Sequence, residues 1–395
     1  MKTGIITKAI ILLLVSFLTH NTSAAQKAKP QKIYGIAKED KSESYYKEQS
    51  EWWRIIIDHE LDNEEAWVNY YLAQRSYLQL SQPNLWANDK NTFYQKLDPI
   101  LRESKPHIGD KFEYHYMQGI NSSDAQALKS FEKAYAIDPE RSEAHGWLFT
   151  QYIPMFKDKE CKDLARRMLK NNAYSDANLK WNYNALQSLD QNGVIISNGD
   201  MDGLPKWVLQ YGDNVRPDVL ITNKWLLADI PNYKKKIYAR LNLTLPSKNI
   251  DDFDSLSEYA DFLTVDILKR SNRPTYISAG TQLKFFKANG IEDNMYLVGN
   301  VLKYSETSFD NTSELKNNFE NKYFLEYLFK NFQHHSQDEV VKSQMNLTYL
   351  PGLIHLKKHY ASLKNQEKAN YYNALIERIV EDSGKKTEVL GWFGN

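Results

Sequence analysis

The chain has 395 residues with 50 Lys and Arg against 50 Asp and Glu, so no net field draws it onto nucleic acid or anionic lipid. Hydrophobic residues at 42% and charged residues at 25% exclude a largely disordered chain, and the length admits two or three domains. The single cysteine, Cys161, excludes an intrachain disulfide framework and a cysteine-cluster metal site, while 16 Gly and 12 Pro beside 26 Tyr point to helices rather than an all-β fold.

The first 25 residues read as a secretory signal. Lys2 and Lys8 precede the apolar run Ala9 to Leu18, and small residues Ser23, Ala24 and Ala25 close the segment, with cleavage expected after Ala25. An apolar run of that length spans only ~15 Å as a helix, about half a bilayer's hydrocarbon core. With no cysteine beside the cut, lipidation there is excluded. The mature chain is expected to be exported, to the periplasm, and to carry no membrane span. Residues 26–40 are Lys-rich and aperiodic and read as a flexible leader.

Helical pattern covers residues 41–192. Within Asp124 to Trp147, Ala127, Phe131, Ala134 and Pro139 stand at the spacings of the second helix of a tetratricopeptide repeat. Small residues let paired helices approach, the aromatic fills the groove between them, and the proline stops the second helix. A next unit would start near His145, with Leu148 and Tyr152 on its first helix. A shift of 33 residues sets Ser175-Asp176-Ala177 under Ser142-Glu143-Ala144 and Leu164 under Phe131. Upstream, Trp53, Ile56, Ala66 and Trp67 repeat the pattern at an offset of 78, which requires an insertion around Ser81 to Lys90. The region resembles tetratricopeptide repeats, with one specific unit and two degenerate ones. Such arrays present concave surfaces to partners.

At Gly193 the pattern changes to an α/β domain over residues 193–310. Val194–Ser197 is a buried strand, Asn198 to Gly203 a tight turn, Leu204 to Tyr211 a helix with Pro205 in its first turn, and Asp218 to Thr222 a parallel strand completing a βαβ unit. Helices are expected at Tyr233 to Leu241 and Leu256 to Arg270, and strands at Thr275 to Ser278 and Tyr296 to Leu302. The Asp200-x-Asp202 turn is the sharpest chemical feature. It admits three readings: a dehalogenase-like nucleophile and acid/base with magnesium, a glycosyltransferase-type metal motif, or two acids that complement the positive end of the following helix. Against the first, Asn198 and Gly199 separate the strand from Asp200, and no lysine motif or downstream acidic pair is recognisable. Asn198, Asp200, Asp202 and Trp207 form the candidate binding site, because an acidic pair beside an indole suits a sugar or a basic aromatic group. Arg216 and Asp218 fall at the opposite end of the unit.

The segment 194–230 closely resembles part of a bacterial family of many-spanning membrane proteins related to protein O-mannosyltransferases. Asn198, Gly199, Asp200, Asp202, Pro205, Trp207, Leu209 and Gln210 match its N-G-D-x-D-T-F-P-x-W-x-L-Q motif, and Arg216, Asp218, Val219, Asn223 and Leu227 continue it. Arg273-Pro274-Thr275-Tyr276 and Tyr296 to Tyr304 are similar to two later strands of that family. The likeness departs at Gly203-Leu204, where the family has Thr-Phe. It implies a shared soluble domain, a Bacteroidetes-like bacterial source and a periplasmic setting. The transferase activity is not carried over, because the family's membrane bundle has no counterpart in this sequence.

Residues 311–395 return to helical pattern. Leu315 to Phe332 reads as one amphipathic helix, and Leu353, Leu356, Tyr360 and Ala369 match one further tetratricopeptide-like unit. The tail carries a Trp392-Phe393 pair. His355 and His359 stand four apart on a helix, but Leu356 takes the place where a zinc protease needs Glu, and His334-His335 fall in a polar loop. Lys234-Lys235-Lys236 reads as a solvated helix face. The fold class expected is therefore mixed and predominantly helical: a tetratricopeptide-like α-solenoid, a small central α/β domain and C-terminal tetratricopeptide-like helices. The function expected is non-catalytic binding of a protein partner or glycan, without cofactor, metal or nucleic acid; the alternative is a divalent-metal enzyme acting through Asp200 and Asp202.

Overall fold

The computed structural model describes residues 30–36, 39–122, 124–278, 283–330, 332 and 336–385. The expected signal segment, residues 26–29, His334-His335 and Trp392-Phe393 lie outside that set.

The N-terminal half is a succession of packed helices. Helices α1 (Glu43–His59) and α2 (Glu64–Ser81) form the first pair, each opened by a side-chain cap, Ser42 and Asn63. A short helix α3 (Pro83–Asn88) follows, within the Ser81 to Lys90 stretch. Helix α4 (Lys90–Ile108) leads to the pair α5 (Phe112–Ile120) and α6 (Asp124–Ile137), followed by α7 (Ser142–Met155), α8 (Asp158–Lys170) and α9 (Asp176–Gln187). Ala127, Phe131 and Ala134 are buried, and a Cβ on Gly119 would lie 2.6 Å from the Phe131 ring, so α5 and α6 touch through this glycine. Phe131 also stacks on Trp147 at 5.6 Å.

A five-stranded sheet follows, in the order β2-β1-β3-β5-β4. Strand β1 (Val194–Ser197) is flanked by parallel neighbours β2 (Leu220–Asn223) and β3 (Thr275–Ser278), while β4 (Met295–Leu297) and β5 (Val301–Tyr304) add an antiparallel edge. Helix α10 (Asp200–Asp213) makes the crossover from β1 to β2; α11 (Lys224–Asp229), α12 (Pro231–Arg240) and α13 (Leu256–Arg270) lie between β2 and β3, and α14 (Leu283–Ala288) follows β3. All four residues of β1 are buried, as a strand covered on both faces requires. Gly212 of α10 meets Leu169 of α8 so closely that a Cβ would stand 2.5 Å from Leu169 Cδ1. The helical layer thus packs directly on the sheet's own helix, and the buried apolar residues form one cluster from Ile33 to Val380.

Three expectations are corrected. The helix after β1 begins at Asp200 rather than Leu204, so both acids belong to its first turn. The expected strand Tyr296 to Leu302 is a hairpin that turns at Gly299, whose φ is +155°. The expected single helix Leu315 to Phe332 is broken: α15 (Asn311–Asn317) passes into a wider turn over Asn318–Lys322 and a separate short turn over Glu326–Phe329. Tertiary bonds hold that break, because the Asn318 amide donates to the Val298 carbonyl and the buried Tyr323 hydroxyl reaches Ser188 and Asn300. The chain then forms α16 (Ser336–Val340) and the pair α17 (Leu350–Ser362) and α18 (Gln366–Asp382), with Leu353, Leu356, Tyr360 and Ala369 buried between them and their neighbours. Among the described residues no helix is long and apolar enough to cross a membrane.

Candidate functional site

Strand β1 is central. The chain leaves it for β2 on one side and arrives later at β3 on the other, so the carboxyl ends of β1 and β3 meet at the switch point of the sheet, where open α/β sheets leave a crevice. A cleft of about 420 Å³ opens there. Asn198 to Asp202 line it after β1, Ser278 from the end of β3, Trp181 from α9, and Val340, Gln344, Met345 and Thr348 from the C-terminal helices, with Ile36 at one side.

The two acids have different fates. Asp202 is engaged on both oxygens: Ser278 Oγ donates to Oδ1 at 2.7 Å, the Asn198 amide donates to Oδ2 at 2.9 Å, and the Lys206 ammonium sits on Oδ1 from one turn along α10. Lys206 is fully buried and donates also to Asn182 Oδ1 at 2.9 Å and to the Asp202 carbonyl at 2.6 Å, with its charge 4.9 Å from the Trp181 ring centre. Burial pulls the lysine below its usual range, and Asp202 works against that shift. Asn178 and Asn182 of α9 each donate to the Met201 carbonyl, clamping the first turn of α10. Asp200 is exposed and lies on the ridge between this cleft and a second cavity of about 360 Å³ that Met201 and Leu204 share with Trp86, Tyr116 and Trp147.

Of the residues expected to form one site, Asn198, Asp200 and Asp202 come together in the cleft. Trp207 does not join them. It is 4% exposed in the core, and the indole beside the acids is Trp181, fixed by Nε1 donation to the Met345 carbonyl at 3.0 Å. Lys206 went unread, although it stands four residues after Asp202 within the apolar run Leu204-Pro205-Lys206-Trp207-Val208, a position where a lysine needs a buried partner. Ser278 and Asn182 carry no sequence signal for this role. The donor set does not suit a divalent ion, since Asp202 already neutralises an ammonium and, among the described residues, no group of three or more His, Cys, Asp or Glu side chains gathers.

The remaining candidates are structural. At the amino edge of the sheet Arg216, held at φ +48°, pairs with Asp218 through two contacts of 2.8–2.9 Å and donates to the carbonyls of Leu186, Leu189 and Asp190. Arg273 bridges the carbonyls of Asn192, Gly193 and Asp218. Gln210 ties α10 to the Arg216 and Val219 carbonyls, and Asn223 caps α11. His355 Nε2 bonds Thr312 Oγ1 at 2.9 Å. Lys234 reaches the Tyr259 hydroxyl and Lys236 lies 4.6 Å from the Phe156 ring, so only part of that run is a bare solvated face. Cys161 is buried, its thiol pushed up to about 12 by desolvation, which makes it an inert packing residue.

Residues 179–354 match the family model described as TMEM260-associated domain 2. The match agrees with the likeness to protein O-mannosyltransferase-related proteins carried by the Asn198 to Gln210 motif. It spans a little under half of the chain. The matched stretch begins within α9, includes Trp181 and Asn182, and extends past β5 into α17, so every side chain that holds Lys206 lies within it. No curated protein matches the chain.

Proposed function

We propose that this chain is an exported, periplasmic, non-catalytic interaction protein. In this reading a tetratricopeptide-like helical array and its C-terminal counterpart flank an α/β module, and the module binds a protein partner or a glycan at the carboxyl edge of its sheet. The observation that carries it is the division of labour between the acids: Asp202 is spent on Lys206, Ser278 and the Asn198 amide, while Asp200 faces an open cleft floored by Trp181. One exposed carboxylate beside an indole suits hydroxyl-bearing or cationic groups with an apolar face. A carboxylate that neutralises a buried ammonium is poorly placed to attack a substrate or to hold a metal, because either role would leave the charge of Lys206 uncompensated.

The switch-point position of the cleft favours one second reading, a divalent-metal enzyme using Asp200 and Asp202. Thermal melting with Mg²⁺, Mn²⁺ and EDTA separates the two. A metal held at 100 times its Kd stabilises by about 2.7 kcal/mol, a shift of several degrees that Asp200→Asn should abolish. The binding reading expects no metal-dependent shift, and expects oligosaccharides or peptides with basic aromatic residues to bind wild-type protein and lose affinity in Asp200→Ala. Retained affinity in Asp200→Ala would remove the site.

A further inference from the structure

The inner side of the N-terminal helical layer is already occupied by this chain. Residues 30–36 run along it, belonging to no helix and no sheet, and turn at Gly35, whose φ is +87°. Ile33 is 2% exposed, and its amide donates at 2.7 Å to Oδ1 of Asn69, a buried residue of α2. The Asn69 amide group is itself oriented by donating to the Glu65 carbonyl at 2.8 Å, so its acceptor faces the segment. On α1, Gln49 accepts from the Gln31 amide at 2.6 Å, and Trp53 Nε1 donates to the Gln31 carbonyl at 3.0 Å. Lys32 lies 3.7 Å from Glu143 on α7.

Over Gln31 to Ile33 these contacts are those of a bound peptide: side chains of the helices hold the backbone, one aliphatic side chain is swallowed, and a flanking base meets an acid, while the Tyr34 and Gly35 amides donate to the chain's own Glu39 at 3.1 Å. The fit is incomplete. A space of about 390 Å³ lies along Lys32, Ile33 and Tyr34, and another of about 360 Å³ along Tyr34, Gly35 and Ile36. Tyr34 and Ile36 remain 43% and 37% exposed, whereas interiors built for stability are packed nearly free of voids. Arg141 and Glu143 on one side, and the rings of Trp86, Tyr116 and Trp147 on the other, face space that the segment leaves empty.

We propose that residues 30–36 are an internal stand-in for an extended peptide of a protein partner, and that such a peptide displaces them. The groove takes a strand with a basic residue, then a β-branched aliphatic residue whose amide meets Asn69, then an aromatic larger than the present filling. Because Ile36 also borders the Asp200 cleft, displacement joins the groove to that cleft. The proposal deepens the reading of this chain as an interaction protein and rests on it.

The test uses the full chain and a fluorescein-labelled peptide with the sequence of residues 30–36. Ile33→Glu expels the segment, since a carboxylate has no partner in the Ile33 pocket. The expected result is at least tenfold tighter peptide binding to Ile33→Glu than to wild type, and a tenfold loss when Asn69→Ala is added. Equal or absent binding in a folded Ile33→Glu protein would overturn the proposal. If that variant does not fold, the segment is a structural strut, and the proposal fails on that result too. Amide exchange of the wild-type chain gives an independent reading: Ile33 should exchange at least a hundredfold faster than the buried turns of α2, and exchange only through global unfolding would sink the idea. Ligand binding at the Asp200 cleft, measured separately, is the readout for the broader function, so the two can fail independently.

Discussion

Ser278 Oγ donates to Asp202 Oδ1 at 2.7 Å, linking the end of β3 to the first turn of α10 across 76 residues of sequence. The bond sits on the same carboxylate oxygen that receives the buried ammonium of Lys206. It turns an acid that local sequence presents as a surface helix cap into the counter-charge of a buried lysine. The cleft at the switch point is therefore built around a neutralised pair, with Asp200 left at its mouth.

Asp202→Asn should destabilise the fold by about 3–5 kcal/mol, because it strands a fully buried ammonium. Adding Lys206→Met should recover most of that loss, since the unpaired charge is gone and an apolar chain of similar length fills the space. Urea unfolding of the single and double variants measures both. If the double variant were no more stable than Asp202→Asn, the pair would not be the source of the loss.

Asp200→Ala should cost only ~0.3–1 kcal/mol, the value of an exposed acid in the first turn of a helix. Its main effect is expected on ligand affinity at the cleft. A loss of several kcal/mol in the same melts would show that Asp200 is a structural residue.

Trp207→Ala should lower stability by about 3–5 kcal/mol while leaving the cleft intact, as befits a core indole. Trp181→Phe keeps an aromatic ring, smaller than the indole, and loses the donor to the Met345 carbonyl and Thr348, and should cost about 1–2 kcal/mol or more. Affinity at the cleft should fall in Trp181→Phe and not in a stability-matched Trp207 variant. The opposite order would return the site to Trp207.

Arg216 and the Asn192 amide hold the Asp218 carboxyl at about 2, below its ordinary value of 3.8. A lowered folded-state value means that the unfolded chain binds the proton first. The stabilisation is therefore complete above about pH 4 and is lost as pH falls toward 2. At 27% side-chain exposure the pair is partly screened, and about 1–2 kcal/mol is expected. Asp218→Asn should lower stability at pH 7 and flatten the acid limb of the curve between pH 4 and 2.

Gly299→Ala should cost about 2 kcal/mol or more. The residue sits at φ +155°, and an added Cβ would lie 1.7 Å from the Tyr323 hydroxyl, which is held by Ser188 and Asn300. A neutral result in thermal melts would mean that the Val298–Asn300 turn relaxes freely.

What was legible depended on how far apart the deciding residues lie. Strands β1 and β3 and helix α13 carry their own signals, a β-branched or aromatic run and a serine cap with apolar period, and they occur at the residues those signals mark. The hairpin at Gly299 and the break after α15 did not announce themselves. A run such as Tyr296 to Leu302 satisfies strand propensity throughout, and only the approach of Tyr323 makes a turn there necessary. Within the site, the acids and Asn198 were readable because they are neighbours in the chain. The true indole, Trp181, and the bond from Ser278 were not, since each reaches the cleft from a different element.

By itself the sequence determined a predominantly helical chain with a parallel βαβ unit, small and aromatic residues spaced for helix contacts, and an acidic turn after the first strand. Those features follow from periodicity, capping and side-chain size, which act over one or two turns of chain. The tertiary structure alone decided which acid lies exposed at the cleft and which is tied to the buried lysine, which indole lines the cleft, and that residues 30–36 fill the groove of the helices. These outcomes rest on burial and on partners supplied from distant segments. A lysine at position 206 is costly or stabilising according to whether α9 and β3 close around it, and no local pattern encodes that closure.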